Sequence, residues 1–201
     1  SRGLGDVYKR QVTKQVSFYE EMTNVPFIIA GPGIHPRQKP VEDLLTQPTI
    51  DLLPTLCELA GIPVPSSKPG ISLAPFLKGE KQKRQHPYAA SEWHSEYEVT
   101  VSPGRMIRSP RYKYTHYLEG NGEELYDMLK DKGERRNLAH DPKYSKILAE
   151  HRALLDDYIR RTQDDYRSLK VEADKRWRSH APGYPNHEGP CARAVSYTHL
   201  R

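Results

Sequence analysis

The chain has 201 residues, enough for one domain or for one domain with a subdomain. It is 36% hydrophobic with 17 prolines and 13 glycines, and its mean hydropathy of -0.82 points to a modest core and abundant loops. The formal charge of +5 is spread among interspersed acids, with no dense basic patch and no long apolar run, which argues against a nucleic-acid stripe and a membrane span.

Along the chain, the first patterned element is "VPFIIAGPGI". Its apolar run does not alternate and is closed by Gly31-Pro32-Gly33. Such a run predicts a strand over Pro26–Ala30 buried on both faces, as in the central sheet of an α/β fold. "TIDLLPTLCELAGI" predicts a helix over Leu52–Ala60, capped by Thr49 or Asp51, with Pro54 in its first turn and Gly61 at its end. Leu52, Leu53, Leu56, Leu59 and Ala60 recur at helical spacing and form its expected buried face. Asp51 reads as a helix cap, not a metal ligand.

A Pro-rich connection and a short helical turn lead to "YAASEW" and "GRMIRSPRYKYTHY", read as strands with a turn at Ser109-Pro110. Tyr112, Lys113 and Tyr114 alternate as strand residues do and read as sheet packing. "EELYDM" predicts another short strand. "DPKYSKILAEHRALLDDYIRRTQ" is the clearest helix, with Asp141 as N-cap, Pro142 at its first position and one stripe through Tyr144, Ile147, Leu148, His151, Leu154, Leu155, Tyr158 and Ile159. Strand and helix followed by strands and a helix predict α/β followed by α+β.

Five blocks, "KQVSFYEEMTNVPFIIAGPGI", "DLLPTLCELAGIPVP", "GISLAPFLKG", "RMIRSPRYKYTHY" and "ELYDMLKDKGERRNLAHDP", occur in that order. Together they resemble the C-terminal part of the type I, formylglycine-dependent sulfatases of the alkaline-phosphatase superfamily. The resemblance implies an α/β fold: the remnant of a central sheet over 12–85, then a small C-terminal α+β subdomain over 86–165 with an antiparallel sheet and a packed helix. An irregular tail over 166–193 follows. Residues 1–11 and 194–201 fit neither the family nor the flanking pattern and are read as non-native scars.

The resemblance also implies chemistry. Such enzymes use formylglycine, made from a Cys/Ser-x-Pro-x-Arg motif, and a calcium ion held by carboxylates. Neither motif occurs here: Cys57 is followed by Glu-Leu-Ala-Gly and Cys191 by Ala-Arg-Ala-Val. Both groups are therefore expected in a preceding part of the enzyme, which becomes a partner of this chain. The chain alone is expected to be inactive. Other expected partners are a sulfated carbohydrate or another sulfate ester, with no nucleic acid and no membrane, in a periplasmic or secreted setting.

By resemblance Lys14 is the candidate catalytic residue. A fixed ammonium there stabilises charge developing on the sulfuryl group, although Lys14 stands five positions before Tyr19 where four is usual. Glu20 and Glu21, adjacent on an extended chain, point to opposite sides and read as structural. In "SEWHSEYEVTVSPGR", Trp93 can cover a sugar face, His94 can hydrogen-bond sugar hydroxyls, and Arg105 can pair with a sulfate or carboxylate. Two alternatives stay open: a non-catalytic module binding sulfated glycans, and a phosphomonoester or phosphonate hydrolase of the same superfamily.

Overall fold

The computed structural model describes residues 18–36, 41, 44–66, 69–82, 86–93, 103–118 and 122–169. Lys14, His94, the two proposed scars and most of the 166–193 tail lie outside the described residues. The chain divides into two compact units, one made of residues 1–24 and 90–201 and the other of residues 25–89. Residues 18–24, assigned by sequence to the 12–85 segment, thus belong with the sheet.

The larger unit is built on four strands, β1 (Ala89–Trp93), β2 (Gly104–Arg108), β3 (Tyr112–Tyr117) and β4 (Gly122–Asp127), in the order β1-β2-β3-β4. β2–β3 and β3–β4 are antiparallel, with Met106 opposite Thr115 and Lys113 opposite Tyr126. The expected turn at Ser109-Pro110 joins β2 to β3. Ser109 N–H donates to the Tyr112 carbonyl at 2.9 Å, and Tyr112 N–H donates back to Ser109 Oγ at 3.1 Å.

Strand periodicity sorts the side chains cleanly. Tyr112, Tyr114 and His116 face α4 (Ser145–Thr162) and the chain that follows it. Lys113, Thr115 and Tyr117 face the other way, toward the one-turn helix α1 (Glu20–Thr23) and its approach. Both faces of β2 and β3 are therefore buried, which a single packed helix does not account for. On the α1 side, Phe18 packs with Met106 and Tyr117, and Tyr19 with Tyr126 and Met128. Gly104 is where Phe18 comes closest: a Cβ there would lie 2.6 Å from the phenyl ring.

α4 starts as the sequence indicates. Asp141 accepts the Lys143 N–H at 3.1 Å and caps a 3-10 turn, Pro142–Tyr144, that runs into the helix. Leu148, His151 and Leu155 form its buried stripe. The helix ends at left-handed Gln163, whose φ of 55° redirects the chain so that Asp164 and Tyr166 return to the sheet.

The smaller unit departs further from expectation. The run Pro26–Ala30 forms no strand. It has no neighbour to pair with among the described residues, and Ile28 is 85% exposed. An apolar run specifies burial, but a ladder needs a second strand. α2 spans Pro48–Leu59, starting earlier than predicted, with Pro48 at N1 and Pro54 inside the helix rather than in its first turn. Its N-cap is Gln47, whose N–H donates to Asp51 Oδ2 at 2.7 Å. Gly61, at φ 69°, ends it in a Schellman arrangement, with Ile62 N–H on the Cys57 carbonyl at 2.8 Å.

The buried face of α2 is the reverse of the predicted one. Asp51, Pro54 and Thr55 are buried, whereas Leu52, Leu53 and Leu56 are 41–50% exposed. The reason lies in residues 70–73, whose backbone N–H groups need acceptors. Ile71 N–H donates to Asp51 Oδ1 at 2.8 Å and Leu73 N–H to Thr55 Oγ1 at 3.0 Å. Pro54 provides no N–H for the Ile50 carbonyl, and Gly70 backs onto that carbonyl so closely that a Cβ would sit 1.9 Å from its oxygen. The polar stripe thus docks backbone, and the leucines turn outward. A second one-turn helix, α3 (Ala74–Leu77), follows.

Candidate functional site

Of the four candidate residues, the structure describes Trp93 and Arg105. Trp93 ends β1, half-buried against the Phe18, Met106 and Tyr117 cluster. Its indole Nε1 is buried and has no hydrogen-bond partner among the described residues. The partly buried Trp93 thus offers an apolar face suited to a sugar ring.

Arg105 is 2% exposed. Its Nε and Nη2 form a fork on Asp164 at 2.6 and 2.8 Å. Nη1 donates to the Trp93 carbonyl at 2.9 Å and the Gly104 carbonyl at 2.8 Å, and the guanidinium lies 4.4 Å from the Tyr166 ring centroid. Burial works against the charge, but the Asp164 hydrogen bond and charge outweigh it and hold the pKa above its ordinary value. The carboxylate paired with Arg105 is therefore the chain's own. Its position on β2, opposite His116, places it on the face that the returning Asp164–Tyr166 segment covers. His116 Nδ1 lies 2.7 Å from Tyr166 Oη, whose O–H donates to the His116 carbonyl at 2.9 Å.

On the opposite face lies a buried ionic network that strand alternation alone did not reveal. Lys113 Nζ is 2.9 Å from both Glu134 Oε1 and Glu20 Oε1. Glu134 Oε2 accepts the Glu20 backbone N–H at 2.7 Å. Glu134 is 1% exposed and has a left-handed φ of 50°. Burial pushes its pKa up, against the pull of Lys113 and the Glu20 N–H. Glu20 and Glu21 stand on α1 and not on an extended chain. Glu20 anchors α1, and with it the "SFYEE" block, to β3. A lysine between two aromatics in an alternating strand was the available signal.

Ser109 Oγ and His151 Nε2 lie 2.9 Å apart, with His151 Nδ1 2.8 Å from the Ile147 carbonyl. The pair superficially suits nucleophilic chemistry, but Ser109 Oγ is tied to both backbone groups of Tyr112. It fastens the β2–β3 turn to α4. Burial holds the His151 pKa below the usual histidine value.

Asp51 also accepts from His86, at 2.7 Å from Nε2, so its carboxylate is a hub within the smaller unit. No group of three or more His, Cys, Asp or Glu side chains among the described residues could hold a metal ion. Cys57, on α2, lacks the Pro and Arg that follow a convertible cysteine. The described residues therefore fit neither calcium nor formylglycine. No helix among them is long and apolar enough to cross a membrane.

The four-stranded sheet with α4 packed on it, preceded by the helical 25–89 unit, defines a mixed α/β domain of sulfatase type. The chain belongs to the family N-sulphoglucosamine sulphohydrolase, C-terminal, which matches residues 11–161. It is 74% identical over 193 residues to the Delta 4,5-hexuronate-2-O-sulfatase of Bacteroides thetaiotaomicron, covering 96% of this chain and 40% of that protein. The solved structure of a 2-O GAG sulfatase matches with a TM-score of 0.80 and 77% identity, over 92% of this chain and 40% of that one. A structure in complex with its substrate D-glucosamine-2-N,6-O-disulfate matches with a TM-score of 0.53 and 27% identity, over 60% of this chain and 25% of that one. The chain thus spans about two-fifths of the length of the relatives it matches most fully.

Proposed function

We propose that this chain supplies the C-terminal part of an enzyme that hydrolyses a sulfate ester on a carbohydrate, with a 2-O-sulfated unsaturated hexuronate as the substrate. The observation that carries this reading is the 74% identity to the hexuronate-2-O-sulfatase across nearly the whole chain. The exposed leucine face of α2 and exposed Val25 and Ile28 support it, since they form apolar surface available to a preceding part of the same enzyme.

In this reading the preceding part provides formylglycine and calcium. Lys14 steadies the sulfuryl charge, His94 hydrogen-bonds the sugar, and Trp93 covers the ring face. Arg105 serves as a positioning residue. Held by Asp164 and stacked on Tyr166, it grips the Trp93 carbonyl and sets where β1 ends.

The test is a chimera that joins this chain to the remaining N-terminal portion of the Bacteroides relative, with sulfate release followed by ion chromatography. The chimera should desulfate a 2-O-sulfated unsaturated disaccharide, and this chain alone should release no sulfate above buffer. A folded chimera inert on that disaccharide, or one that prefers a phosphonate monoester, removes the reading.

A further inference from the structure

The chain leaving α4 reaches across three strands through buried polar groups. Tyr166 is fully buried, and its O–H donates to the His116 carbonyl on β3 at 2.9 Å. Asp164 takes the Nε and Nη2 side of the Arg105 guanidinium on β2, at 2.6 and 2.8 Å. That fork leaves Nη1 to bridge two carbonyls, Gly104 at 2.8 Å and Trp93, on β1, at 2.9 Å. The Trp93 carbonyl belongs to the peptide bond that joins Trp93 to His94. One residue earlier, Glu92 Oε1 accepts the O–H of Tyr158, from α4, at 2.5 Å. The Trp93 ring rests on the other face, against Phe18, Met106 and Tyr117. β1 has five residues and stands at one end of the strand order, with β2 as its neighbour in the sheet. The end of such a strand is open to fraying, so the hydrogen bonds made there set where its last residue sits. Asp164 and Tyr166 lie beyond residue 161, where the family match ends, so that match gives neither of them a role.

We infer that Tyr158 and Asp164 are positioning residues, a clasp from the α4 exit that holds Trp93 in place for the sugar ring of a glycan substrate. Asp164 fixes the rotation of the planar Arg105 guanidinium, which then aims Nη1 at the end of β1. Tyr158 holds the residue before it. Two holds on consecutive residues fix both the position and the rotation of the strand end, and the indole then meets a sugar with little left to order. That Trp93 faces a sugar rests on the sulfatase reading above; the clasp itself does not.

The first measurement needs no activity. The chain has two tryptophans, Trp93 and Trp177, so acrylamide quenching of the intact Trp177→Phe chain reports Trp93. Tyr158→Phe and Asp164→Asn should each raise the quenching constant about twofold as the strand end loosens. Arg105→Met/Asp164→Leu, which leaves no unpaired charge should Asp164→Asn fail to fold, should do the same. Arg152→Met, which removes the Glu123 ion pair on β4 at the opposite end of the strand order, should leave it unchanged. In the active chimera, the clasp variants should raise KM for the disaccharide about fivefold with kcat within about twofold, and leave both constants for 4-nitrophenyl sulfate within about twofold. Adding Tyr158→Phe to Trp93→Ala should cost nothing further, because the two act through one ring. An inert parent chimera removes the sulfatase reading and leaves the quenching to decide the clasp. Unchanged quenching in the clasp variants, equal losses on the two substrates, or additive losses with Trp93→Ala would each overturn the inference.

Discussion

Within the sheet unit, β2 and β3 bury nearly every side chain on both faces, including a threonine, and a lysine and an arginine that each have an acidic partner. Between Val25 and Val64, by contrast, lie all the exposed large hydrophobics of the described residues except Leu129. The two regions show that apolar pattern and burial are separate properties. A patterned face is buried only when something is present to cover it, and a polar face is buried when backbone donors require it. The sheet unit brings its own cover on both sides, α4 on one and the Phe18–Thr23 segment on the other.

The largest expected effect tests whether the sheet unit's two-sided burial depends on its buried ions. Lys113→Met leaves Glu134 buried and unpaired, and should lower stability by about 3–5 kcal/mol, read from urea unfolding followed by circular dichroism. Lys113→Met/Glu134→Leu should recover most of that loss, because both charges are gone. If the double variant is no better than the single one, the network matters through geometry and not through compensated charge.

Gly104→Ala sharpens the same point at the α1 face. The added Cβ meets the Phe18 ring at 2.6 Å and Tyr117 at 3.1 Å, and overpacking of this kind costs about 1–3 kcal/mol. If stability is unchanged, Phe18 is not held against β2 and the second cover of the sheet is lost as an explanation.

Much of this unit was legible in the sequence, because its signals are local. β1, β4, the Ser109-Pro110 turn and the Asp141-Pro142 start of α4 all follow from period-2 or period-3.6 patterns bounded by turn or cap residues. Trp93 and Arg105 were found as unusual residues at a strand end, but the Asp164 fork on Arg105 joins residues 59 positions apart and has no local signal. The α2 face was misread because hydrophobic spacing predicts which side prefers burial. It says nothing of Gly70–Leu73, whose N–H groups claimed the opposite side. Lys113 was read as sheet packing because nothing in "YKYTHY" announces an acid 21 residues later with an inward-turning φ.

A pH titration reaches the α4 face. Burial depresses the His151 pKa below its usual 6.5, so the folded state holds a neutral ring where the unfolded chain binds a proton. The stability this contributes is fully present above the unfolded pKa and is lost as pH falls from about 6.5 toward the folded value. Unfolding midpoints should therefore drop over that window, and His151→Gln should flatten the decline. If His151→Gln leaves the decline unchanged, acid sensitivity comes from a source other than this ring.

The smallest expected effect falls on the leucines of α2. Leu52, Leu53 and Leu56 are close to half exposed, so replacing each with Ser removes little buried area. Such surface changes usually stay within about 0.5 kcal/mol, far below the roughly 2–5 kcal/mol expected for Leu155→Ala in the core of the sheet unit. The consequence should appear in solution behaviour. An exposed apolar stripe in a unit that also exposes Val25 and Ile28 favours self-association, so the triple Ser variant should lower the weight-average mass seen by light scattering while leaving the unfolding midpoint nearly unchanged. In the chimera the same substitutions should act in the opposite sense. If the preceding part of the enzyme covers this face, each leucine contributes up to about 1.5–3 kcal/mol on full burial, and the chimera should lose stability that the chain alone does not. A triple variant that destabilises the isolated chain as strongly as the chimera would mean that the leucines already have their cover within residues 25–89, and the contrast between the two units would disappear.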